Sequence, residues 1–426
     1  MPHCDVVIIG AGVIGSSIAY HLGKRGMRST MVERESIGVR ASGKAWAVIV
    51  YPPKVFAKEM THRTVDSGAG VDLAEMPAGD SEENWRSLFA SSYDRMPDLA
   101  LELSERGGVD IEYGESLNTL LFTEAEIEKE GRDGLLAPYL RAGGIETGWL
   151  DAPQLREIFP SLESKWVAGI TNPEAQVESY KYNLGLAQAA ERLGASVKQG
   201  EAVGFATRGD RITGLKLASG DLLEADHFAI AAGPWSRPVA SHLGVDVPML
   251  TLMAECIRVE MPGGLPFQTL VAGDYWIIPK VNGEVILGPY EGCISPRDDD
   301  DDSLTEELVV RTLSNCVEIL PALEEAKLVE HRGDLLAVTD WSSQKPTLGR
   351  LPQWENGYLA THFAGHGIMM SPAVGELMAE LIATGRQPLR AARTLDHLKP
   401  GGPAKLAMRS AGPEAAREPE GGDASD

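Results

Sequence analysis

Between Val6 and Arg34 the chain reads VVIIGAGVIGSSIAYHLGKRGMRSTMVER, and this stretch constrains the fold more than any other. Four apolar residues in succession, Val6 to Ile9, predict a strand buried on both faces of a parallel sheet. Gly10, Gly12 and Gly15, with Ala11, Val13 and Ile14 between them, then fit the pattern GxGxxG. The first glycine permits a tight turn, the second lets a pyrophosphate approach the backbone, and the third lets a helix pack on the strand. Ile14, Ile18 and Leu22 recur at helical spacing, and Gly26 supplies a stop. The start of such a helix turns free N–H groups and a positive dipole end toward phosphate. A second strand, Thr30 to Val32, ends at Glu33 and Arg34, and Glu33 stands where an acid binds ribose hydroxyls. An acid there disfavours a 2′-phosphate. That weighs against NADP, and NAD and FAD both remain open at this point.

The rest of the composition narrows the setting. At 426 residues the chain is too long for one ordinary core and suits two interleaved domains. A net charge of −23 argues against nucleic acid and anionic membrane as partners. The acidic run Asp298 to Asp302 reads as a solvated loop, because adjacent carboxylates point in different directions, and no metal site is expected. Cys4, Cys256, Cys293 and Cys316 show no CxxC or zinc spacing, which suits a reduced, cytoplasmic protein. No apolar run is long enough for a membrane span. The apolar N-terminus lacks a basic leader and is broken by Asp5 and glycines, unlike a signal peptide. Residues 399–426, rich in Pro, Gly, Ala and charge, read as a disordered tail.

Three further stretches choose the dinucleotide. RASGKAWAVI carries Arg40, the small residues Ala41, Ser42 and Gly43, then Lys44, Ala45, Trp46 and Ala47, just after the ribose-binding strand. ADHFAIAAGPWS is an apolar strand running into Ala231, Ala232, Gly233 and Trp235. GYLATHFAGHGIMMSPAVGELMAELIATG holds a strand, a glycine loop with Gly365, His366, Gly367, Ile368 and Met369, and a helix. Ser371 reads as its N-cap and Pro372 as its first residue. Val374, Leu377, Met378, Leu381 and Ile382 form its apolar stripe, and Gly385 ends it. NAD has no use for a second glycine-rich helix start. A flavin dinucleotide does, because donors beside the N1–C2=O edge stabilise the anionic reduced ring.

This ordered set resembles the D-amino-acid oxidase superfamily of FAD enzymes, which includes glycine oxidase, sarcosine oxidase, dimethylglycine dehydrogenase and D-amino-acid dehydrogenase. The likeness runs from about Asp5 to Gly385 and includes GVDIEYGESLNTLLFTEAEIE, DYWIIPKVNGEVILGP and VTDWSSQKPTLGRLP. It implies an α/β fold: a Rossmann-like FAD-binding domain interleaved with a mixed-sheet α+β substrate domain. The FAD segments would be 1–88, 150–238 and 325–392, and the substrate segments 89–149 and 239–324. The helix from Tyr180 would lead into a strand carrying Val203, either at the adenine side or as simple core. The glycine-rich, acidic stretch between Tyr51 and Trp85 reads as a mobile insertion or a lid. The implied reaction is hydride transfer from a C–H bond beside nitrogen to flavin N5, followed by hydrolysis of the imine. The substrate would be an amine or amino acid, and the electron acceptor oxygen, a quinone or another carrier. Two alternatives are a 2-hydroxy-acid dehydrogenase and a non-catalytic flavin-binding assembly subunit. The oligomeric state is left open.

Departures from the family patterns sharpen these expectations. Trp46 is followed by Ala47, where the dimethylglycine dehydrogenase pattern has the histidine that tethers FAD. No cysteine precedes VTDW, where the sarcosine oxidase pattern has one, so FAD is expected to be non-covalent. Leu336 stands where amino-acid-directed members carry a carboxylate-binding arginine. Arg332, Lys44, Lys280, Lys345 and His366 are the replacement cations the sequence offers. Ile286 matches a lysine that promotes oxygen reduction in sarcosine oxidase-like proteins. Tyr275 and Trp276 fall on the expected aromatic wall of the substrate pocket, or in a core strand. His362 and His366 flank the flavin loop, with His362 as a packed residue and His366 as the site histidine. The catalytic candidates are thus His366, Tyr275, Trp276 and Lys44.

Overall fold

The computed structural model describes residues 4–50, 80–142, 146–290, 294–297, 301–338 and 346–386. The insertion at 51–79, Lys345, Cys293 and the tail at 399–426 lie outside the described residues.

Six strands form the first sheet, in the order Thr347–Arg350, Gly357–Thr361, Ala225–Ile230, Cys4–Ile9, Ser29–Glu33 and Ser196–Gln199. All run parallel except Thr347–Arg350. Val6 to Ile9 sit at its centre, no more than 4% exposed, as a run apolar on both faces requires. The helices Val13–Lys24, Ser179–Arg192 and Gly367–Thr384 share a core with this sheet. A small antiparallel sheet, Ala202–Arg208, Arg211–Leu217 and Leu222–Leu223, stands beside it.

The second large sheet has ten strands and is mixed. Its path runs Ile294–Pro296, Leu250–Glu260, Glu284–Pro289, Tyr275–Pro279, Thr269–Ala272, Gly114–Thr123, Trp166–Gln176, Val48–Val50. Lys327–Val338 pairs with Leu250–Glu260, and Gly148–Asp151 with Trp166–Gln176. Side chains alternate between its faces. Leu120, Val271, Trp276, Ile278 and Ile286 join the core that also holds Val13, Ala47 and Ile368. Leu121, Leu270, Ile277, Val285 and Leu287 pack on the other side, against Cys316 and Ile319 of the helix Glu306–Ile319.

The expected α/β architecture, a nucleotide sheet joined to a mixed second sheet, is therefore present. The expected segment edges at 150 and 325 do not coincide with changes of sheet. Gly148–Asp151 and Lys327–Val338 lie at those edges, and with Trp166–Gln176 they belong to the ten-stranded sheet, because their backbone groups complete its ladders. Val48–Val50 also belongs to it.

Candidate functional site

The first glycine turn is built as its spacing predicts. Gly10 has φ +103°, and a Cβ there would lie 2.5 Å from the Ala231 carbonyl oxygen. A Cβ on Gly15 would collide with the Gly10 carbonyl oxygen. The small residues Ala231 and Ala232 thus pass directly beside the turn. Glu33 at the end of the second strand accepts from the Ala11 N–H at 2.9 Å and the Glu35 N–H at 3.0 Å. Ser42 Oγ accepts from the Val13 N–H at 2.9 Å, which ties the ASGK segment to the helix start. Asn183, absent from the sequence reading, donates to the Ala11 carbonyl at 3.0 Å. It sits inside an ordinary amphipathic helix, and nothing in its spacing marks it.

At the start of the helix Val13–Lys24 the N-cap residue, Gly12, supplies no side-chain acceptor, and the Val13 N–H is taken by Ser42. The other first-turn amides have no intrahelical acceptors, and an anion satisfies such a set. Beyond Glu33 opens a cleft of about 330 Å³, lined by Glu33, Glu35, Ser36, Ile37, Tyr180, Leu184, Val197 and Gln199. The cradle, the acid and the cleft fit a dinucleotide's pyrophosphate, ribose and base in that order. Val203 is 44% exposed, so it is not simple core. The residues just before it are held to the Glu33 strand by the Gly200 N–H, which donates to the Glu33 carbonyl at 2.8 Å.

Arg34 and Arg40 both lie over the Trp235 ring, with guanidinium carbons 4.1 and 5.3 Å from its centroid. Arg40 also donates to Glu35 at 2.9 Å and to Asp302 at 2.7 Å. One end of the acidic run, expected to be wholly solvated, is therefore ion-paired. Asp301 likewise lies 3.6 Å from Arg297.

The second helix starts at Gly367, four residues before the expected Ser371 cap, after a short turn at Ala364–His366. The misreading has a physical reason. Pro372 has no N–H for the Ile368 carbonyl, and Ser371 Oγ donates to that carbonyl instead, at 2.9 Å. Tyr182 OH lies 2.9 Å from the same Oγ. A serine–proline pair that looks like a helix start thus repairs a helix interior. Gly367 has φ −55°, and a Cβ there would sit 3.6 Å from Val13 Cγ1. The two helix starts therefore adjoin. Ala47, His362 and Ala364 hold positive φ values of 56°, 64° and 46° around them. Strain of this kind in residues other than glycine collects at ligand sites. Thr361 Oγ1 donates to the Gly233 carbonyl at 3.1 Å, bringing the GPW turn to the same strand end.

His362 is buried, with Nδ1 2.8 Å from Thr347 Oγ1, as a packed histidine would be. His366 meets Phe89 edge-on, ring centroids 5.4 Å apart. Burial pushes its imidazole down to about 4. It is neutral at ordinary pH and cannot serve as the cation the sequence offered.

Trp276 and Tyr275 separate. Trp276 faces the shared core and packs near Trp46 at 5.9 Å, while Tyr275 faces the helix side, as alternation along a strand dictates. Tyr290 takes the place expected of Tyr275, 6.2 Å from Trp46 and 6.0 Å from Trp276. Gly288 leaves room for the Trp46 edge, since a Cβ there would lie 2.8 Å from Cζ2.

The candidate cations are already employed. Lys44 Nζ donates to the Gly333 carbonyl at 3.0 Å and to the buried Asp334 carboxylate at 2.8 Å. Arg332 donates to the Ala45 carbonyl at 3.1 Å. Lys280 donates to the carbonyls of Trp46 at 3.1 Å and Val177 at 2.9 Å. Burial lowers Lys280 to about 7, against the pull of Glu174 and Glu178. All three clamp residues 44–47 onto the larger sheet, and Lys44 is a clamp rather than the expected catalytic group. Ile286 is buried, 1% exposed. Among the described residues no helix is long and apolar enough to cross a membrane, and no group of three or more potential ligands could hold a metal ion.

Known proteins resemble the chain over most of its length. Glycine oxidase from Geobacillus kaustophilus is 27% identical over 386 residues, covering 89% of this chain and 92% of that protein. A hydrogen cyanide synthase subunit from Pseudomonas aeruginosa is 26% identical over 405 residues, covering 90% and 94%. The crystal structure of glycine oxidase from Bacillus cereus ATCC 14579 superposes with a TM-score of 0.76 at 25% identity, covering 91% of this chain and 97% of that one. Residues 5–381 match the family described as FAD dependent oxidoreductase. The chain belongs to this D-amino-acid oxidase family and is an FAD-dependent oxidoreductase.

Proposed function

We propose that the enzyme oxidises the C–N bond of an amino acid or secondary amine. The observation that carries this reading is the second helix start, adjoining the first at Gly367 and Val13, with Trp46, Trp276 and Tyr290 clustered on the core that Val13 and Ile368 share. When bound, FAD would supply a two-electron acceptor for a hydride from the carbon beside nitrogen, leaving an imine that water would hydrolyse. The turn at Gly10–Gly15 would hold the pyrophosphate, and Glu33 the ribose. The amides of Gly367 to Met369, with the dipole behind them, would face the pyrimidine edge and favour negative charge there. Trp46, Trp276 and Tyr290 exclude water from the face where the hydride leaves the substrate. The neutral His366 is a neighbour that accepts or donates one hydrogen bond without adding charge. Relatives that act on glycine support the substrate class. FAD is proposed to be held without a covalent bond, and oxygen or a quinone to accept its electrons.

The test is anaerobic. Holoenzyme mixed with glycine, N-methylglycine, D-amino acids and 2-hydroxy acids should lose its flavin colour with an amine and not with a hydroxy acid. Bleaching by hydroxy acids alone would replace the proposal with an alcohol-directed dehydrogenase. Oxygen or a quinone added afterwards identifies the acceptor.

A further inference from the structure

The second helix start is not held by its own helix alone. Pro372 interrupts the helix Gly367–Thr384 soon after it begins, and proline offers no N–H to the Ile368 carbonyl. The turn from Gly367 to Ser371, which carries the amides assigned to the flavin edge, is therefore joined to the rest of its helix across a break. Four hydroxyls from four helices gather there. Ser371 Oγ donates to the Ile368 carbonyl at 2.9 Å, and Tyr182 OH lies 2.9 Å from Ser371 Oγ. Ser92, from the helix Asp80–Glu102, donates to the Met370 carbonyl at 3.2 Å and accepts from the Ala373 N–H at 3.1 Å. Ser17, from the helix Val13–Lys24, donates to the Ser371 carbonyl at 2.7 Å. Ser17, Ser92, Tyr182 and Ser371 are each 0% exposed.

Proton counting gives these bonds a direction. A hydroxyl has one hydrogen to give and two lone pairs to accept with. Ser371 uses its hydrogen on the Ile368 carbonyl, so Tyr182 is the donor to Ser371 Oγ. Burial pushes the Tyr182 phenol above its ordinary range, so it stays protonated and keeps donating. The chain Tyr182–Ser371–Ile368 thus ends on a carbonyl of the flavin-edge turn, and each bond polarises the next. Ser92 acts differently. Its one hydroxyl takes an acceptor before the proline and a donor beyond it, and so spans the break. The same helix touches the loop again through Phe89, three residues earlier, which meets His366 edge-on. Removing either hydroxyl would leave a buried partner unmatched at the one place where the helix cannot supply its own bond.

We propose that Tyr182 and Ser92 are positioning residues for the flavin: they set the turn from Gly367 to Ser371 so that its amides point at the N1–C2=O edge and raise the reduction potential. Each acts through the backbone of that turn. Amide dipoles stabilise a developing charge only when they are fixed in advance, and a turn separated from its helix by a proline needs an outside hold to be fixed. The inference rests on the placement of this turn at the pyrimidine edge, and not on which substrate is oxidised.

Anaerobic holoenzyme is titrated with dithionite beside a reference dye, which reads the flavin potential with no amine present. Tyr182→Phe and Ser92→Ala should each shift the equilibrium between reduced and oxidised flavin about tenfold toward oxidised, a fall of about 30 mV for a two-electron couple. Arg95→Gln breaks an exposed ion pair between the same two helices, 2.8 Å from Arg95 to Glu376, and should leave the potential in place. Wild-type or raised potentials in both Tyr182→Phe and Ser92→Ala overturn the proposal. So does an equal fall in Arg95→Gln, which would make the effect one of general packing. If Ser92→Ala does not retain flavin, Tyr182→Phe decides alone, because it deletes one oxygen and keeps the ring. Failure of the loop placement looks different. Gly367→Asp, which puts a carboxylate into the turn itself, would then keep the wild-type potential as well. A lowered potential in Gly367→Asp, with none in Tyr182→Phe and Ser92→Ala, removes the positioning role and keeps the loop at the flavin.

Discussion

Glu33 uses its carboxylate to order the turn before any ligand arrives, holding the amides of Ala11 and Glu35. Its remaining lone pairs face the cleft, where ribose hydroxyls would donate. Glu33→Ala should therefore weaken FAD binding by about 1–3 kcal/mol, the range for hydrogen bonds to a charged group. Titration of apoprotein with FAD checks this, and wild-type affinity in the mutant would remove Glu33 from the site. Trp46 carries a second expectation. The residue after it is Ala47, with no side chain able to bond to flavin. Acid precipitation of holoenzyme should leave the yellow colour in the supernatant; colour in the pellet would disprove non-covalent attachment. At this scale the glycine turn was legible, because it obeys a short-range backbone rule. Asn183, Phe89 and Tyr290 were not, because they reach the site only through tertiary packing.

At the scale of elements, the candidate site is two helix starts brought side by side. The second was legible as a helix but its start was misplaced, because Ser371 and Pro372 imitate a cap while serving the interior. The true start places His366 as the residue before the helix and Gly367 as its first. That placement makes a clean test possible. The Gly367 backbone is right-handed helical at φ −55° and the nearest neighbour of an added Cβ is at ordinary contact distance, so an L side chain is tolerated. Gly367→Asp puts a carboxylate where the reduced flavin would carry negative charge. It should lower the flavin reduction potential and slow reduction by substrate more than it weakens FAD binding. His366→Ala removes a neutral ring and should change the potential far less. Potentiometry with rapid-mixing reduction compares the two. A Gly367→Asp enzyme with wild-type potential would move the loop away from the flavin.

Across the whole molecule, residues 44–46 are tied to the larger sheet by cations on carbonyls, with Lys280 and Arg332 buried and Lys44 partly exposed. The sequence offered Lys44, Lys280 and Arg332 as ligands for a substrate because position alone cannot tell a pocket cation from a clamp. The mixed sheet was legible in outline from its alternating strands, but not its membership. Trp166–Gln176 and Lys327–Val338 join it through partners far away in the chain. Lys280 shows what the clamp costs. It is 6% exposed, and burial pushes its ammonium down from the ordinary lysine range to about 7. Below that value it is charged in both folded and unfolded chains, and the cost of burying the charge is fully present. Between about 7 and the unfolded value near 10 the unfolded chain holds the extra proton. Stability therefore rises with pH across that window, by at most about 1.4 kcal/mol per unit. Lys280→Met removes this contribution but strands the carbonyls of Trp46 and Val177, so the mutant should be less stable at alkaline pH. The difference in unfolding free energy between wild type and Lys280→Met, from denaturant titrations of holoenzyme at several pH values, isolates the lysine. That difference should grow as pH rises from 7. A difference that is flat, or that shrinks, would mean that Lys280 keeps its charge in the folded enzyme, and that the clamp is an ammonium at every pH where the enzyme is stable.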